Sequence, residues 1–306
     1  MQEFAPANIF NCDETGLFFK MLPDRSLSFS SEACTGGKHS KERVTVMVGA
    51  NADGTEKLPL LVIGKAKNPR CFKGVKNLPV WYSSNTKAWI TQSLFEDYLR
   101  RLDRMFERQK RQVVIFVDNC GAHGAVNNLQ AVRLEFLPPN TTSVLQPMDQ
   151  GVIKNLKVHY RARLLGRTLV CFDSGKSYSV NLFSALGMLA DAWKAVQPST
   201  IANCFRHAGF CNCEEASPGD AIGTAENIDN GEQLIADLRS SGMDLPAAVT
   251  FDEFAAIDDN IELCAELTDD EIVRQVTAPP QSDSDSDVRM THAAARNHRR
   301  KTLPTL

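Results

Sequence analysis

Three aspartates lie where this 306-residue chain could bind metal ions. Asp118 ends a run of apolar, mostly β-branched residues at 113–117, and this run predicts a strand buried on both faces. A carboxylate at the carboxyl end of such a strand lies at the rim where open α/β sheets place their sites. The alternative is that Asp118 only opens a turn with Asn119 and Gly121.

Asp149 lies in the predicted first turn of a helix that begins at Pro147, where the helix dipole favours a negative charge. The same helix face carries apolar residues spaced for packing on a sheet, namely Val152, Ile153, Leu156 and Tyr160. The carboxylate is therefore expected to point towards the body of the protein. An inward carboxylate needs a partner, which is usually a metal ion or a basic group.

Asp13 ends a weak strand signal at 7–13, and stronger strand signals follow at about 44–50 and 59–64. A capping box at Ser93–Glu96 then predicts a helix before the Asp118 strand. This order fits a ribonuclease-H-like mixed sheet, in which a crossover helix joins antiparallel strands to a parallel one. The predicted fold class is therefore α/β, a ribonuclease-H-like mixed sheet flanked by helices, with an acidic helical and partly disordered C-terminal region.

Seven sequence blocks within about residues 8–210 give the chain a family resemblance. One block reads Val117-Asp118-Asn119-Cys120-Gly121-Ala122-His123, and the others are residues 11–17, 65–72, 87–91, 137–143, 145–151 and 203–210. In these blocks the chain resembles the pogo/Tigger-type transposases of the DDE superfamily and their jerky and centromere-protein-B relatives. Thirty residues separate Asp118 from Asp149, which is similar to the spacing in the three-aspartate pogo-like branch.

The resemblance implies that Asp13, Asp118 and Asp149 form the catalytic triad of a DNA cleavage and strand-transfer enzyme. Such chemistry uses two divalent ions, Mg²⁺ or Mn²⁺, with Asp13 expected to bridge them while Asp118 and Asp149 hold one each. His123 is an auxiliary candidate that would orient water or phosphate, and the alternative is a purely local hydrogen bond. Family members usually carry helix-turn-helix domains before the catalytic domain. Because few residues precede Asp13, a fragment, an incorrect gene model or a product that has lost sequence-specific binding is expected.

The net charge of −3 conceals an uneven distribution along the chain. Residues 1–216 contain 27 basic and 19 acidic residues, whereas residues 217–288 contain 2 and 18. A basic body suggests contacts with the DNA phosphate backbone. The predicted contacts are on a loop and on the helix after Asp149, namely Lys65, Lys67, Arg70, Lys154, Lys157 and Arg161. The alternative is an ordinary solvated helix face.

Composition divides the chain into four predicted parts. The catalytic domain is expected at 1–215, a polar linker at 216–250, short acidic amphipathic helices at 251–276 and a disordered tail at 277–306. Capping boxes at Thr250–Glu253 and Thr268–Glu271 predict the helices. These helices could dock on the catalytic domain, bind a protein partner or shield a basic groove when DNA is absent.

No apolar run is long enough to span a bilayer, and nine scattered cysteines do not suggest a secreted disulfide framework. Cys204, His207, Cys211 and Cys213 do not have a standard zinc spacing. A nuclear, DNA-binding protein without membrane contact is expected, and whether it forms a homodimer stays open. Two functions stay open: a metal-dependent DNA endonuclease, or a host-adapted or truncated nuclear interaction protein without catalytic activity.

Overall fold

The structure of the chain is a computed structural model. It describes residues 4–23, 41–139, 141–175, 179–210, 231–242, 245, 249–259 and 261. The predicted tail at 277–306 and the predicted capping box at Thr268 lie outside the described residues.

A six-stranded mixed sheet forms the centre of the fold. Its strands, in chain order, are β1 (Ile9–Phe18), β2 (Arg43–Asn51), β3 (Leu61–Gly64), β4 (Trp81–Ser84), β5 (Val113–Val117) and β6 (Val132–Phe136). They lie side by side in the order β4-β3-β2-β1-β5-β6. Strands β1, β2 and β3 pair antiparallel, whereas β5 runs parallel to β1. The predicted ribonuclease-H-like arrangement is confirmed, although β1 is longer than predicted and β4 and β6 are additional.

Seven helices lie within the described residues. They are α1 (Gln92–Arg108), α2 (Thr142–Leu145), α3 (Ile153–Asp173), α4 (Leu182–Ala195), α5 (Pro198–His207), α6 (Gly231–Ser240) and α7 (Phe251–Ala255). The prediction that Ser93 caps α1 is wrong, because the Thr91 side chain accepts the hydrogen bond from the Leu94 amide. Asp103 of α1 accepts hydrogen bonds from the amides of residues 130–132 and so fixes the start of β6.

Each face of the sheet has its own apolar core, because successive residues of a strand point to opposite faces. Phe10 and Cys12 of β1 pack with α1, while Ile9 and Leu17 pack on the other face with the later helices. The predicted inward stripe of α3 is confirmed, since Val152, Ile153, Leu156 and Tyr160 are all buried.

The segment predicted as a polar linker at 216–250 contains a packed helix, and the prediction is therefore wrong for residues 231–240. Ile235 and Leu238 of α6 are fully buried and join the same core as α3. The predicted capping box of α7 is confirmed, with Thr250 and Glu253 exchanging hydrogen bonds. Sequence polarity missed α6 because two apolar residues one helical turn apart are enough to anchor a short helix.

Candidate metal and nucleic-acid site

Asp13 and Asp118 lie at the same level of two adjacent strands. Asn11 of β1 pairs with Phe116 of β5 in parallel register, and each aspartate follows two residues later. Asp13 lies in mid-strand and is buried, whereas Asp118 follows the last residue of β5 and is partly exposed. Both side chains are therefore at the carboxyl end of the β1–β5 pair, as the Asp118 prediction required.

Asp149 reaches this position from a distorted turn before α3. Residues Met148–Val152 form a wide helical turn, and Gly151 has φ of 137°, a conformation that side-chain-bearing residues rarely adopt. The residue as a whole is exposed, but its carboxylate turns inwards and shares a side-chain hydrogen bond with Asp13. The predicted inward direction is confirmed.

Asn11 connects the three segments that carry the aspartates. Its side chain is fully buried, and its amide nitrogen donates to the Phe116 carbonyl at 3.0 Å and to Gln146 at 3.3 Å. Its carbonyl oxygen accepts from the backbone amide of Met148 at 2.9 Å. One amide side chain therefore holds residues close to Asp13, Asp118 and Asp149 in a fixed relation.

Like charges dominate the electrostatics of this site. Burial raises the pKa of Asp13 well above its usual value, and the charges of Asp149, Glu14 and Asp118 raise it further. Desolvation also raises the pKa of Asp149, together with the charges of Asp118 and Glu14, against the lowering effects of Asp13 and Lys157. Acids held together in this way share protons, or they require a cation to remain ionised together.

His123 forms a bridge between two acids of the site. Its Nδ1 atom lies 2.5 Å from Oδ1 of Asp118, and its Nε2 atom lies 3.0 Å from Oε2 of Glu14. Its ring packs on Phe95 with 4.3 Å between centroids, and its side chain has no exposed surface. Burial disfavours the imidazolium, but the adjoining side chains of Asp118, Cys120 and Glu14 raise the pKa of His123 well above its usual value.

This environment separates the two interpretations of His123. A side chain without exposed surface that lies between two carboxylates holds those carboxylates in place. Direct contact with phosphate or bulk water would require an open path to the ring. His123 is therefore placed as a positioning residue for Asp118 rather than as a direct contact.

The predicted basic surface of α3 is only partly available. Arg161 is fully buried and pairs with Asp258, which is also fully buried. Lys157 is buried as well, and its ammonium lies 2.8 Å from Asp259. In this arrangement the acidic segment after α7 occupies both cations, so contact of Lys157 and Arg161 with phosphates stays a prediction.

Asp258 and Ile261 also cover the end of β1. Oδ1 of Asp258 accepts a hydrogen bond from the Phe18 amide at 2.9 Å. The Ile261 side chain packs so closely on Gly16 that an added Cβ would lie 2.8 Å from it. Of the alternatives for the C-terminal helices, docking on the catalytic domain is observed for α7 and the acids that follow it, while the second predicted helix lies outside the described residues.

The remaining predicted cations lie on the surface. Lys65, Lys67 and Arg70 follow β3 and are exposed, and Lys154 is exposed on the first turn of α3. Because β3 and β1 run in the same direction, the Lys65 loop leaves the sheet at the carboxyl end of β1. These four residues remain candidates for contact with phosphates.

Sequence reasoning did not identify Asn11 and Asp258 as important residues. A polar side chain between Phe10 and Cys12 on a strand that leads to a candidate ligand was the available signal for Asn11. Asp258 gave no comparable signal, because it is one acid among many and its partner lies 97 residues away.

Comparison with known proteins now identifies the family. Residues 41–205 match the DDE superfamily endonuclease model, which covers more than half of the chain. The chain belongs to the DDE superfamily of endonucleases. It is 41% identical over 264 residues to mouse Tigger transposable element-derived protein 4, a match that covers 86% of this chain and 51% of that protein.

Two further relatives come from different organisms. Human major centromere autoantigen B is 35% identical over 68% of the chain and 34% of its own length. The CENP-B homolog protein 2 of Schizosaccharomyces pombe is 33% identical over 76% of the chain and 47% of its own length. The chain thus spans about a third to a half of these relatives. This agrees with the pogo/Tigger-type resemblance of the sequence blocks.

Among solved structures, the chain is similar to Mos1 transposase in its paired-end complex with the left transposon end. The TM-score is 0.34 at 13% identity, over 68% of this chain and 57% of that one. Among the helices of the described residues, none has the length and apolar character needed to cross a membrane.

Proposed function

We propose that this chain is the catalytic domain of a transposase-derived, divalent-metal-dependent DNA endonuclease, and that Asp13, Asp118 and Asp149 hold the metal. The observation that carries this proposal is the convergence of three carboxylates whose charges oppose one another. Burial of like charges destabilises a protein. A fold that keeps these acids together is therefore expected to use them in a cation-bound state.

The donor set fits Mg²⁺ or Mn²⁺, which prefer hard oxygen ligands. The raised pKa values of Asp13 and Asp149 arise from burial and neighbouring negative charge, and the charge of a bound cation would offset both effects. The side chains of Asp13, Asp118 and Asp149 would hold the metal. A pair of divalent ions supplies activation of the attacking oxygen and stabilisation of the leaving oxygen in phosphoryl transfer.

The residues around the acids position them. Asn11 fixes the three acid-bearing segments, and His123 holds the Asp118 carboxylate from the protein side. Glu14 holds His123 in turn through the opposite ring nitrogen. This rigid arrangement limits the reorganisation that the site would need when DNA binds.

DNA is the proposed substrate and partner, bound mainly through its phosphates. Lys65, Lys67, Arg70 and Lys154 supply exposed cations, and phosphate contacts give affinity without sequence preference. The relatives include a centromere autoantigen and a transposable-element-derived protein, and a nuclear location follows for a protein that acts on chromosomal DNA. A homodimer and a protein partner for the acidic C-terminal region complete the proposal.

The test is metal-dependent nicking of supercoiled plasmid by the purified chain. Nicking is expected in Mg²⁺ or Mn²⁺ but not in EDTA or Ca²⁺, because Ca²⁺ is larger and accepts looser coordination. Asp118→Asn should reduce nicking to background while DNA binding at low salt persists. Asp191→Asn is the matched control, since this exposed acid on α4 pairs with Lys194 in the same helix.

The outcomes separate the candidate functions. Nicking that survives Asp118→Asn would place the activity elsewhere or in a contaminant. Metal binding and DNA binding without nicking under any metal would favour a host-adapted interaction protein that keeps the fold without the chemistry.

A further inference from the structure

A second group of metal-ligand side chains lies beside the three aspartates. Ligand atoms of Glu14, Cys120 and His123 all lie within 4.8 Å of one another. Glu14 and His123 are buried, and Cys120 is a half-buried free cysteine. Unlike the aspartate site, this group contains sulfur and nitrogen donors.

Local backbone geometry brings the sulfur and nitrogen donors together. The chain turns sharply after Asp118, and the backbone amide of His123 donates to the Cys120 carbonyl at 3.0 Å. The resulting Cys-x-x-His spacing places both side chains on the inner side of one turn. Glu14 reaches the same point from β1, and the Phe95 ring fixes the orientation of the imidazole.

The donor atoms are close together but poorly satisfied by one another. Nε2 of His123 and Oε2 of Glu14 are 3.0 Å apart and fully buried, yet neither has a well-aligned hydrogen bond. The Cys120 Sγ atom lies 3.8 Å from Oε1 of Glu14. A tetrahedral zinc ion with bonds of about 2.0–2.3 Å separates its ligand atoms by roughly 3.3–3.8 Å, so the side chains need only small shifts.

The orientation of His123 also suits a metal ligand. Histidines that bind metal through one nitrogen usually donate the other N–H to a carboxylate, which fixes the tautomer and the ring. Nδ1 of His123 lies 3.2 Å from the Asp118 carbonyl oxygen and 2.5 Å from the Asp118 carboxylate, which leaves Nε2 directed at Glu14 and Cys120. Asp118 therefore links this group to the aspartate site.

We propose that Glu14, Cys120 and His123 form a binding site for zinc or a similar thiophilic divalent ion, with water as the fourth ligand. Thiolate and imidazole select zinc over Mg²⁺, whereas the neighbouring aspartates have the opposite preference. The partial exposure of Cys120 gives the ion an entry path and a place for the water. On binding, zinc replaces the thiol proton of Cys120 and any proton on Nε2, and both protons pass to solvent.

This inference goes beyond the proposed function, because binding at this site requires neither DNA nor cleavage. The probe is Co²⁺ added to the purified full chain under reducing conditions, since a thiolate ligand gives cobalt a near-ultraviolet charge-transfer band. One equivalent should produce the band, and equimolar Zn²⁺ should abolish it. Zn²⁺ should also raise the melting temperature, because it binds only the folded site.

Matched variants identify the ligands. Cys120→Ser should remove the band, and Glu14→Gln should weaken zinc binding about tenfold or more. Cys171→Ser, a half-buried free cysteine on α3, should leave the band intact. The double variant Cys211→Ser with Cys213→Ser should also leave it intact, which excludes the cysteines near the end of α5.

Absence of the band, or a band that survives Cys120→Ser, overturns the zinc site and leaves His123 as an ion-pair bridge only. The nicking assay in Mg²⁺ is scored separately. If the chain nicks DNA but gives no cobalt band, the zinc site is wrong and the proposed function stands. If the chain gives the band but does not nick DNA, the zinc site stands and the proposed function is wrong.

Discussion

Two buried charged clusters of this protein follow opposite rules. In the aspartate site, Asp13, Asp118 and Asp149 place like charges together, and burial and mutual repulsion raise the pKa of Asp13. At the C-terminal contact, Arg161 and Asp258 place opposite charges together, and neither side chain has exposed surface. The first cluster gathers charges of one sign, whereas the second already contains its counter-charge.

Functional and structural charges in this fold differ in whether each buried charge has a counter-charge within the protein. Arg161 also donates to the carbonyls of Phe18 and Met21, so its guanidinium is a hub that joins β1, the following loop and the segment after α7. Such a group stabilises one arrangement of the chain. The acids stabilise no arrangement by themselves, which is expected of side chains kept for ligand binding.

The largest expected effect on stability comes from breaking the Arg161–Asp258 pair. Asp258→Asn should lower the free energy of unfolding by about 3–5 kcal/mol, because it leaves the Arg161 guanidinium buried without its counter-charge. Chemical denaturation with far-ultraviolet circular dichroism measures this loss. The double variant Arg161→Met with Asp258→Leu should recover only part of it, since the apolar pair removes the unpaired charge but leaves the backbone groups of Phe18 and Met21 without their partners. A single variant as stable as the wild type would show that the pair is not a structural contact.

Removal of the Asn11 side chain should have the next largest effect. Asn11→Ala leaves the Met148 amide and the Phe116 carbonyl without their partner, at a cost of about 2–4 kcal/mol. Nicking should fall more than stability explains, because the three acid-bearing segments lose their common anchor. Asn155→Ala is the control, since this buried asparagine of α3 has an oxygen without a hydrogen-bond partner. Equal losses of nicking in both variants would deny Asn11 a positioning role.

The pH dependence of stability should also distinguish the two clusters. A raised carboxyl pKa means that the folded state takes up its proton at higher pH than the unfolded state, so Asp13 destabilises the metal-free protein at neutral pH. Asp13→Asn should therefore melt above the wild type at pH 7, and the difference should shrink as pH falls towards 3.8, the ordinary value for aspartate.

Mg²⁺ at pH 7 provides the matching measurement for Asp13. It should raise the melting temperature of the wild type but not that of Asp13→Asn, because the variant lacks one of the charges that bind the ion. A melting temperature of Asp13→Asn below that of the wild type across the whole pH range would mean that the Asp13 charge is stabilised by a partner and that the site is not strained.

The order of elements and the three acids could be predicted from the sequence because they depend on local patterns. The apolar run before Asp118 and the stripe after Asp149 each specify an element and a direction for its side chains. The fates of Lys157 and Arg161 could not be predicted, because both depend on acids about a hundred residues later in the chain. The spacing of residues on a helix shows which helix face carries a basic side chain, but it does not show which other part of the chain covers that face. Asn11 was missed for the same reason, since its partners are 105 to 137 residues away.

The smallest effect on stability, and the most informative for DNA binding, is expected at the Lys157–Asp259 pair. Asp259 is 58% exposed, and ion pairs with an exposed partner contribute about 0–1 kcal/mol. Asp259→Asn should therefore leave the melting temperature nearly unchanged while it frees the Lys157 ammonium, which lies close enough to Asp149 to lower its pKa. DNA affinity at low salt should rise, and the slope of log affinity against log salt should steepen by about 0.9, as expected for one added phosphate contact.

Asp191→Asn removes a negative charge from the exposed pair on α4 and should not change the slope. If both variants raise affinity equally, net charge is the cause and the segment after α7 does not compete with DNA. If Asp259→Asn alone does so, the same acidic segment that completes the fold at Arg161 limits access of DNA to a cation that lies close to Asp149.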